Sequence, residues 1–155
     1  MGFLSIFRKS KSVSVIQLNG VIAPNMGRRK GLNLQELEKT IEQAFTGNNI
    51  QAVALQINSP GGSPVQSEMI SLRIRELSEK NNIPVLAFVE DVAASGGYWL
   101  ACSADEIFSS NASIVGSIGV VSSGFGFNKA IEKLGIERRL YTAGDNKAIL
   151  DPFLP

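Results

Sequence analysis

The chain has 155 residues, of which 44% are hydrophobic and 19% are charged, so it is long enough for one compact domain with a sizeable core. It contains no histidine, which excludes Ser-His-Asp triads, Cys-His pairs and imidazole metal sites. A single cysteine, Cys102, excludes an internal disulfide and a structural zinc site, and a formal net charge of +1 gives no large field to attract nucleic acid.

The first residues of the chain are apolar and are followed by basic residues. The apolar stretch over residues 1–7 is too short for a signal peptide or a membrane span, so the predicted location is the cytoplasm. A peripheral contact with a membrane is left open. We interpret residues 1–12 as an N-terminal tail and residues 13–155 as a single domain.

A strand and an amphipathic helix are predicted next. The alternation over Val13–Leu18 is typical of a strand, and Gly27–Gly31 is interpreted as a loop. Asn33 followed by Glu36 predicts a capped helix start, and Gly47 predicts its end. The apolar face expected for this helix consists of Leu34, Leu37, Ile41, Ala44 and Phe45.

A second strand and helix follow. Ala52–Ile57 is almost entirely apolar, which predicts a strand buried on both faces. The chain then runs directly into a glycine-rich turn, after which Ser63 can cap a helix that Pro64 opens. The residues expected on the buried side of that helix are Val65, Met69, Ile70, Ile74 and Leu77.

A third unit repeats this pattern, because the buried strand Pro84–Val89 is followed by the glycine-rich junction Ala93–Trp99. Successive units of this kind predict an α/β fold. The remaining elements are shorter. They are a strand near Glu106–Phe108, a glycine-punctuated segment at Val115–Val121, a helix near Asn128–Leu134 that ends at Gly135, and a strand near Glu137–Tyr141.

Ser95 is the first candidate for chemistry, because it lies between a predicted strand and a predicted helix with small neighbours. The free N–H groups of a helix N-terminus can stabilise an oxyanion. The same position also suits an ordinary N-cap serine. Without histidine, a nucleophilic serine would need a lysine, a carboxylate or the N-terminal amine as its base. Lys147, which leads into the apolar run Ala148–Leu150, is the lysine best suited to burial, although a solvated surface lysine remains open.

The segment Asn58–Gly62 also has two possible interpretations. A glycine pair after a strand is commonly only a turn. Alternatively, the N–H groups of Gly61 and Gly62 could form a backbone platform for a carbonyl oxygen near Ser95.

Four motifs in order resemble the signal peptide peptidase A (SppA/SohB) family of Ser-Lys peptidases. They are Asn58–Gly62, Ala93–Tyr98, Val115–Val120 and Gly144–Lys147, and the resemblance extends from about Val13 to Phe153. It implies an α/β fold of the crotonase/ClpP-like type, built from repeated strand-strand-helix units.

The resemblance implies roles for five residues. Ser95 would be the nucleophile and Lys147 its general base. Gly62 and Gly96 would supply oxyanion-hole N–H groups, and Ser117 would hydrogen-bond the lysine. Neither a metal nor an organic cofactor is implied. The implied partners are a peptide substrate and further copies of the chain.

Members of that family commonly carry an N-terminal membrane anchor and C-terminal helices that follow the lysine motif. Only eight residues follow Lys147 here, so we expect a C-terminally truncated member in which the surroundings of the lysine are incomplete. The function predicted is a serine endopeptidase acting on signal-peptide remnants or other extended peptides. The alternatives are a non-catalytic peptide-binding or assembly subunit of the same fold and a crotonase-like acyl-thioester enzyme, which would explain neither Ser95 nor Lys147.

Overall fold

A computed structural model describes residues 10–25, 31–144 and 146–154 of the chain. These residues divide into two compact units, one ending at Val120 and one beginning at Val121. The predicted loop at Gly27–Gly31 lies outside the described residues except for Gly31, as does most of the predicted N-terminal tail. The single domain predicted over 13–155 stays a prediction.

The first unit is a parallel sheet with helices. Its strands are β1 (Ser12–Asn19), β2 (Ile50–Ser59), β3 (Val85–Ala94), β4 (Glu106–Ser109) and β5 (Ile114–Gly116). The strand order is β1-β2-β3-β4, and β5 pairs with the last residues of β3 beyond the end of β4. Its helices are α1 (Leu34–Thr46), α2 (Pro64–Asn81) and α3 (Gly96–Ala101). The predicted α/β class is confirmed.

The helix starts follow from the capping residues predicted. The side chain of Asn33 accepts a hydrogen bond from the N–H of Glu36 at 3.0 Å, and Gly47 ends α1. At α2 the hydroxyl of Ser63 accepts a bond from the N–H of Gln66. Each cap satisfies one of the backbone donors that a helix start leaves free.

One face of the sheet packs against the helices and forms the core. Its strand residues alternate along the chain, as the period of a strand requires. The core side chains contributed by β1, β2 and β3 are Ile16, Leu18, Val53, Leu55, Ile57, Val85, Ala87 and Val89. The prediction that the strands are buried on both faces is wrong for the opposite face, where Phe88 is 43% exposed and stacks on Phe108.

Two residues predicted on the buried side of α2 are exposed instead, Val65 at 61% and Met69 at 41%. Ile70, Ile74 and Leu77 are buried as expected. The rest of the inward face consists of small side chains, namely Ser67, Ser71 and Ser78. Serines on this face let the helix lie close to its neighbours, so hydrophobicity alone assigned the wrong side to Val65 and Met69.

The second unit has little regular structure. Its helix α4 (Asn128–Lys133) confirms the predicted helix, and Gly135 follows it in the left-handed region at φ +67°. The strand predicted at Glu137–Tyr141 is wrong, since those residues form no strand. A strand needs a paired neighbour, and no strand is present elsewhere in the described part of this unit. Within the described residues, no helix is both long and apolar enough to cross a membrane.

Candidate active site

Ser95 lies at the turn between β3 and α3 in a backbone conformation that few side chains adopt. Its φ is +52° and its ψ is −119°. The turn is fixed on both sides, because the N–H of Ser95 donates to the carbonyl of Gly116 at 2.8 Å and its carbonyl accepts from the N–H of Trp99 at 3.0 Å. A conformation of this kind costs on the order of 1–3 kcal/mol and persists only where the surrounding structure imposes it.

The hydroxyl of Ser95 does not act as a helix cap, although the residue holds the N-cap position of α3. This distinguishes it from Asn33 and Ser63, whose side chains both cap. Among the described residues no hydrogen-bond partner is found for the Ser95 hydroxyl, and the residue is half-buried. The ordinary N-cap interpretation therefore does not describe this serine.

The glycine loop after β2 packs directly against the Ser95 turn. A Cβ at Gly61 would lie 2.7 Å from the carbonyl oxygen of Ala94 and 2.9 Å from the Cβ of Ser95. A Cβ at Gly62 would lie 2.0 Å from the carbonyl oxygen of Ile22. Both positions therefore require glycine, for space as well as for their positive φ angles of +95° and +147°.

Two backbone N–H groups meet beside Ser95. The nitrogen of Gly62 is 3.4 Å from the position that a Cβ on Gly96 would occupy. Within the described residues, the N–H groups of Gly62 and Gly96 donate no hydrogen bond. The structure thus brings Ser95, Gly62 and Gly96 together, as parallel strands that end at one edge of a sheet should do.

A cleft of about 380 Å³ opens at these three residues. Sequence reasoning did not identify the side chains of its apolar wall. They are Tyr98, Trp99, Ile118 and Val120. The available signals were the spacing of Trp99, one helical turn after Ser95, and the alternation of apolar residues with glycine after β5.

Ser117 and Lys147 are the remaining two candidates. Ser117 follows the end of β5, is exposed, and has a φ of +54°. Lys147 belongs to the second unit, where its side chain is exposed and its N–H donates to the carbonyl of Gly144 at 3.4 Å. The roles of Ser117 and Lys147 stay predictions.

Comparison with known proteins identifies the family. The model of peptidase family S49 matches residues 78–154. A putative signal peptide peptidase SppA from Enterococcus faecium is 31% identical over 147 residues, covering 92% of this chain and 42% of that protein. The chain belongs to the SppA/SohB family of peptidases.

A second similarity of this SppA/SohB-family chain is to part of a much longer protein. The chain is 51% identical over 144 residues to a Brucella melitensis protein named Na(+)/H(+) antiporter NhaA, and the match covers 92% of this chain but 20% of that protein. The antiporter name describes that whole protein. The chain spans between 17% and 47% of the length of the curated relatives it was compared with.

Solved structures confirm the fold of this family member as α/β of the crotonase/ClpP-like type. A serine-to-alanine mutant of a membrane-bound stomatin-specific protease matches with a TM-score of 0.53 at 21% identity, over 74% of this chain and 53% of that one. An enoyl-CoA hydratase/isomerase family member matches with a TM-score of 0.50 at 16% identity, over 83% of this chain and 51% of that one. At these identities the likeness concerns the fold alone.

Proposed function

We propose that this chain carries the site of a serine endopeptidase of the Ser-Lys type. The observation that carries the proposal is the turn at Ser95, whose φ is +52° and whose hydroxyl caps no helix. It lies beside the N–H groups of Gly62 and Gly96, which donate no hydrogen bond within the described part of the chain. Such strained turns occur where a fold presents a nucleophile. Membership of a peptidase family supports the same conclusion.

In the proposed reaction, the Ser95 hydroxyl oxygen attacks the scissile carbonyl carbon while Lys147 removes its proton. The N–H groups of Gly62 and Gly96 stabilise the resulting oxyanion. The intermediate collapses to an acyl-enzyme as Lys147 returns the proton to the leaving amine. Water then attacks the carbonyl carbon of the acyl-enzyme, and Lys147 takes the proton of the water and returns it to the Ser95 oxygen. The acyl part of the peptide leaves as a carboxylic acid, so no external oxidant, metal or cofactor is consumed.

Lys147 can act as a base only in its neutral form. An ordinary lysine has a pKa of about 10.4, so the mechanism needs an environment that disfavours the ammonium ion. We propose that Ser117 orients the amine, because a neutral hydroxyl does not raise the lysine pKa as a carboxylate would. An exposed Lys147 is the observation that favours the alternative, a peptide-binding or assembly subunit without catalysis.

The substrates proposed are extended peptides such as signal-peptide remnants. The cleft beside Ser95 is walled by Trp99, Ile118 and Val120, which suits an apolar side chain next to the scissile bond. We further propose that the chain assembles with copies of itself and works in the cytoplasm, either free or at a membrane surface.

Labelling by a fluorophosphonate tests the proposal, because only an activated serine reacts readily. We expect the wild-type protein to be labelled and Ser95→Ala to lose labelling entirely. Ser123→Ala changes an exposed serine and should label like the wild type. Lys147→Arg should label at less than about a tenth of the wild-type rate, since a guanidinium stays protonated. Unchanged labelling of Ser95→Ala would refute the nucleophile, and an unlabelled wild-type protein would favour the peptide-binding alternative.

A further inference from the structure

The peptide unit between Gly61 and Gly62 is anchored by residues that take no part in the proposed reaction. The carbonyl of Gly61 accepts a hydrogen bond from the N–H of Ile22 at 2.9 Å. The N–H of Ser63 donates to the carbonyl of Ile22 at 2.7 Å, so the loop is tied to the segment after β1 on both sides of Gly62. These bonds fix the orientation of the peptide plane.

The planarity of the peptide unit then determines where the Gly62 N–H points. In a trans peptide the N–H is directed opposite to the preceding carbonyl. Because the Gly61 carbonyl faces Ile22, the Gly62 N–H faces away from Ile22. This is the side of Gly96, as the 3.4 Å separation between the Gly62 nitrogen and the Gly96 Cβ position indicates.

The preceding peptide unit is held by Ser59. Its hydroxyl oxygen accepts a hydrogen bond from the N–H of Gly61 at 3.2 Å. Ser59 is the last residue of β2 and is fully buried. It faces the same side of the sheet as Val53, Leu55 and Ile57, where an apolar side chain would be expected.

Ser59 also contacts the helix that begins after the nucleophile. A Cβ at Gly97 would lie 2.4 Å from the Ser59 carbonyl oxygen and 3.1 Å from the Ser59 Cβ. A single buried residue therefore touches the glycine loop and the first turn of α3. Ser59 does not line the cleft.

We propose that Ser59 is a positioning residue for the oxyanion hole. Together with the Ile22 N–H it holds the Gly61–Gly62 peptide in the one orientation that directs the Gly62 N–H toward the carbonyl attacked by Ser95. The inference rests on the proposed function for its catalytic consequence, whereas the orientation of the loop is independent of catalysis.

The catalytic test compares Ser59→Ala with Ser78→Ala in the full chain. Ser78 is also buried, and its hydroxyl donates to the carbonyl of Ile83 at 2.7 Å near the end of α2, so it controls for loss of a buried serine bond. With an activated peptide ester, Ser59→Ala should lower kcat about tenfold and leave KM nearly unchanged, as expected for a weakened transition-state donor. With the matching thionoester the loss should be smaller, because sulfur accepts hydrogen bonds weakly. Ser78→Ala should leave kcat and KM for both esters close to the wild-type values.

Amide exchange measured by NMR separates this proposal from the proposed function. In Ser59→Ala the Gly61 amide should exchange at least about tenfold faster than in the wild type and in Ser78→Ala, because its acceptor is gone. If the wild-type protein hydrolyses the ester and Ser59→Ala does so with the same kcat, the proposal is overturned. If the wild-type protein hydrolyses neither ester, the proposed function fails. The exchange measurement still tests the positioning role in that case, and unchanged Gly61 exchange in Ser59→Ala would overturn it.

Discussion

Alanine substitutions at two glycines with positive φ distinguish the effect of backbone strain on stability from the effect of steric overlap. Gly20 has φ +102°, and no atom of the described residues lies within 4 Å of a Cβ built there, whereas Gly62 has φ +147° and a Cβ there would lie 2.0 Å from the Ile22 carbonyl oxygen. Gly20→Ala should therefore lower the free energy of unfolding by about 1–2 kcal/mol, the cost of the conformation alone. Gly62→Ala should lower it by at least about twice that amount, because the loop must also move.

Urea unfolding of the two variants measures this difference. Turnover of a peptide ester should fall much further in Gly62→Ala than in Gly20→Ala, since the loop supplies a proposed oxyanion donor. Equal stabilities and equal turnover would show that the contact with Ile22 relaxes without consequence.

Sequence reasoning predicted that Ser95 and Gly62 lie close together but not the contacts that hold them there. Ser95 and Gly62 could be predicted to meet, because each follows a parallel strand and such strands end at one edge of a sheet. The bond from Ile22 to the Gly61 carbonyl could not, because it joins segments whose proximity depends on the pairing of β1 with β2. The role of Ser59 was hidden for a similar reason, since a serine at the end of an apolar strand looks like part of the following turn.

At the scale of elements, Asp105 connects three of them. Its carboxylate accepts the Val85 N–H at the start of β3 at 2.8 Å and pairs with Arg75 of α2 at 2.8 Å, directly before β4 begins. The Val85 N–H, aided by the Arg75 guanidinium, holds the pKa of this carboxyl below its usual range. A lowered pKa means that Asp105 contributes stability above its ordinary pKa of about 4 and that this contribution is lost as the pH falls.

Asp105→Asn should therefore flatten the pH dependence of stability. The asparagine oxygen can still accept the Val85 N–H but carries no charge to be protonated. We expect the urea midpoint of the wild type to fall between about pH 6 and about pH 3, and that of Asp105→Asn to fall less over the same range. Glu42→Gln, which changes an exposed carboxyl on α1, is the control and should follow the wild type. Parallel curves for Asp105→Asn and the wild type would contradict the assignment.

Elements were predicted well where local signals were strong. The caps of α1 and α2 and the glycine that follows α4 gave their boundaries within a residue or two. The strand predicted at Glu137–Tyr141 failed because alternation describes a side-chain pattern and not the presence of a pairing partner. β3 extends to Ala94, beyond the predicted Val89, because β5 pairs with its last three residues.

At the scale of the whole molecule, the two units differ in how much they bury. The core residues lie in the first unit, whereas no described residue after Val120 is fully buried. Amides of β2 and β3 should therefore exchange only by global unfolding, while those from Val121 onward should exchange almost as fast as in an unstructured peptide. Hydrogen exchange followed by mass spectrometry measures both. Protection across Asn128–Lys133 comparable with that of β2 would show that this helix is covered in solution.

The parallel sheet also constrains how the chain acquires its site. Val13 pairs with Ala52, and Ile57 pairs with Val89, so each pairing closes a long loop that includes a helix. Closing a long loop lowers the chain entropy before the contacts that compensate for this loss have formed, which slows folding. Parallel sheets fold slowly for this reason. The N–H of Ser95 is bonded to the carbonyl of Gly116. Gly116 is the last residue of β5 and comes after α3 and β4 in the chain. During synthesis the nucleophile turn therefore cannot be completed until Gly116 has left the ribosome, and a nascent chain stalled before that point holds no formed site.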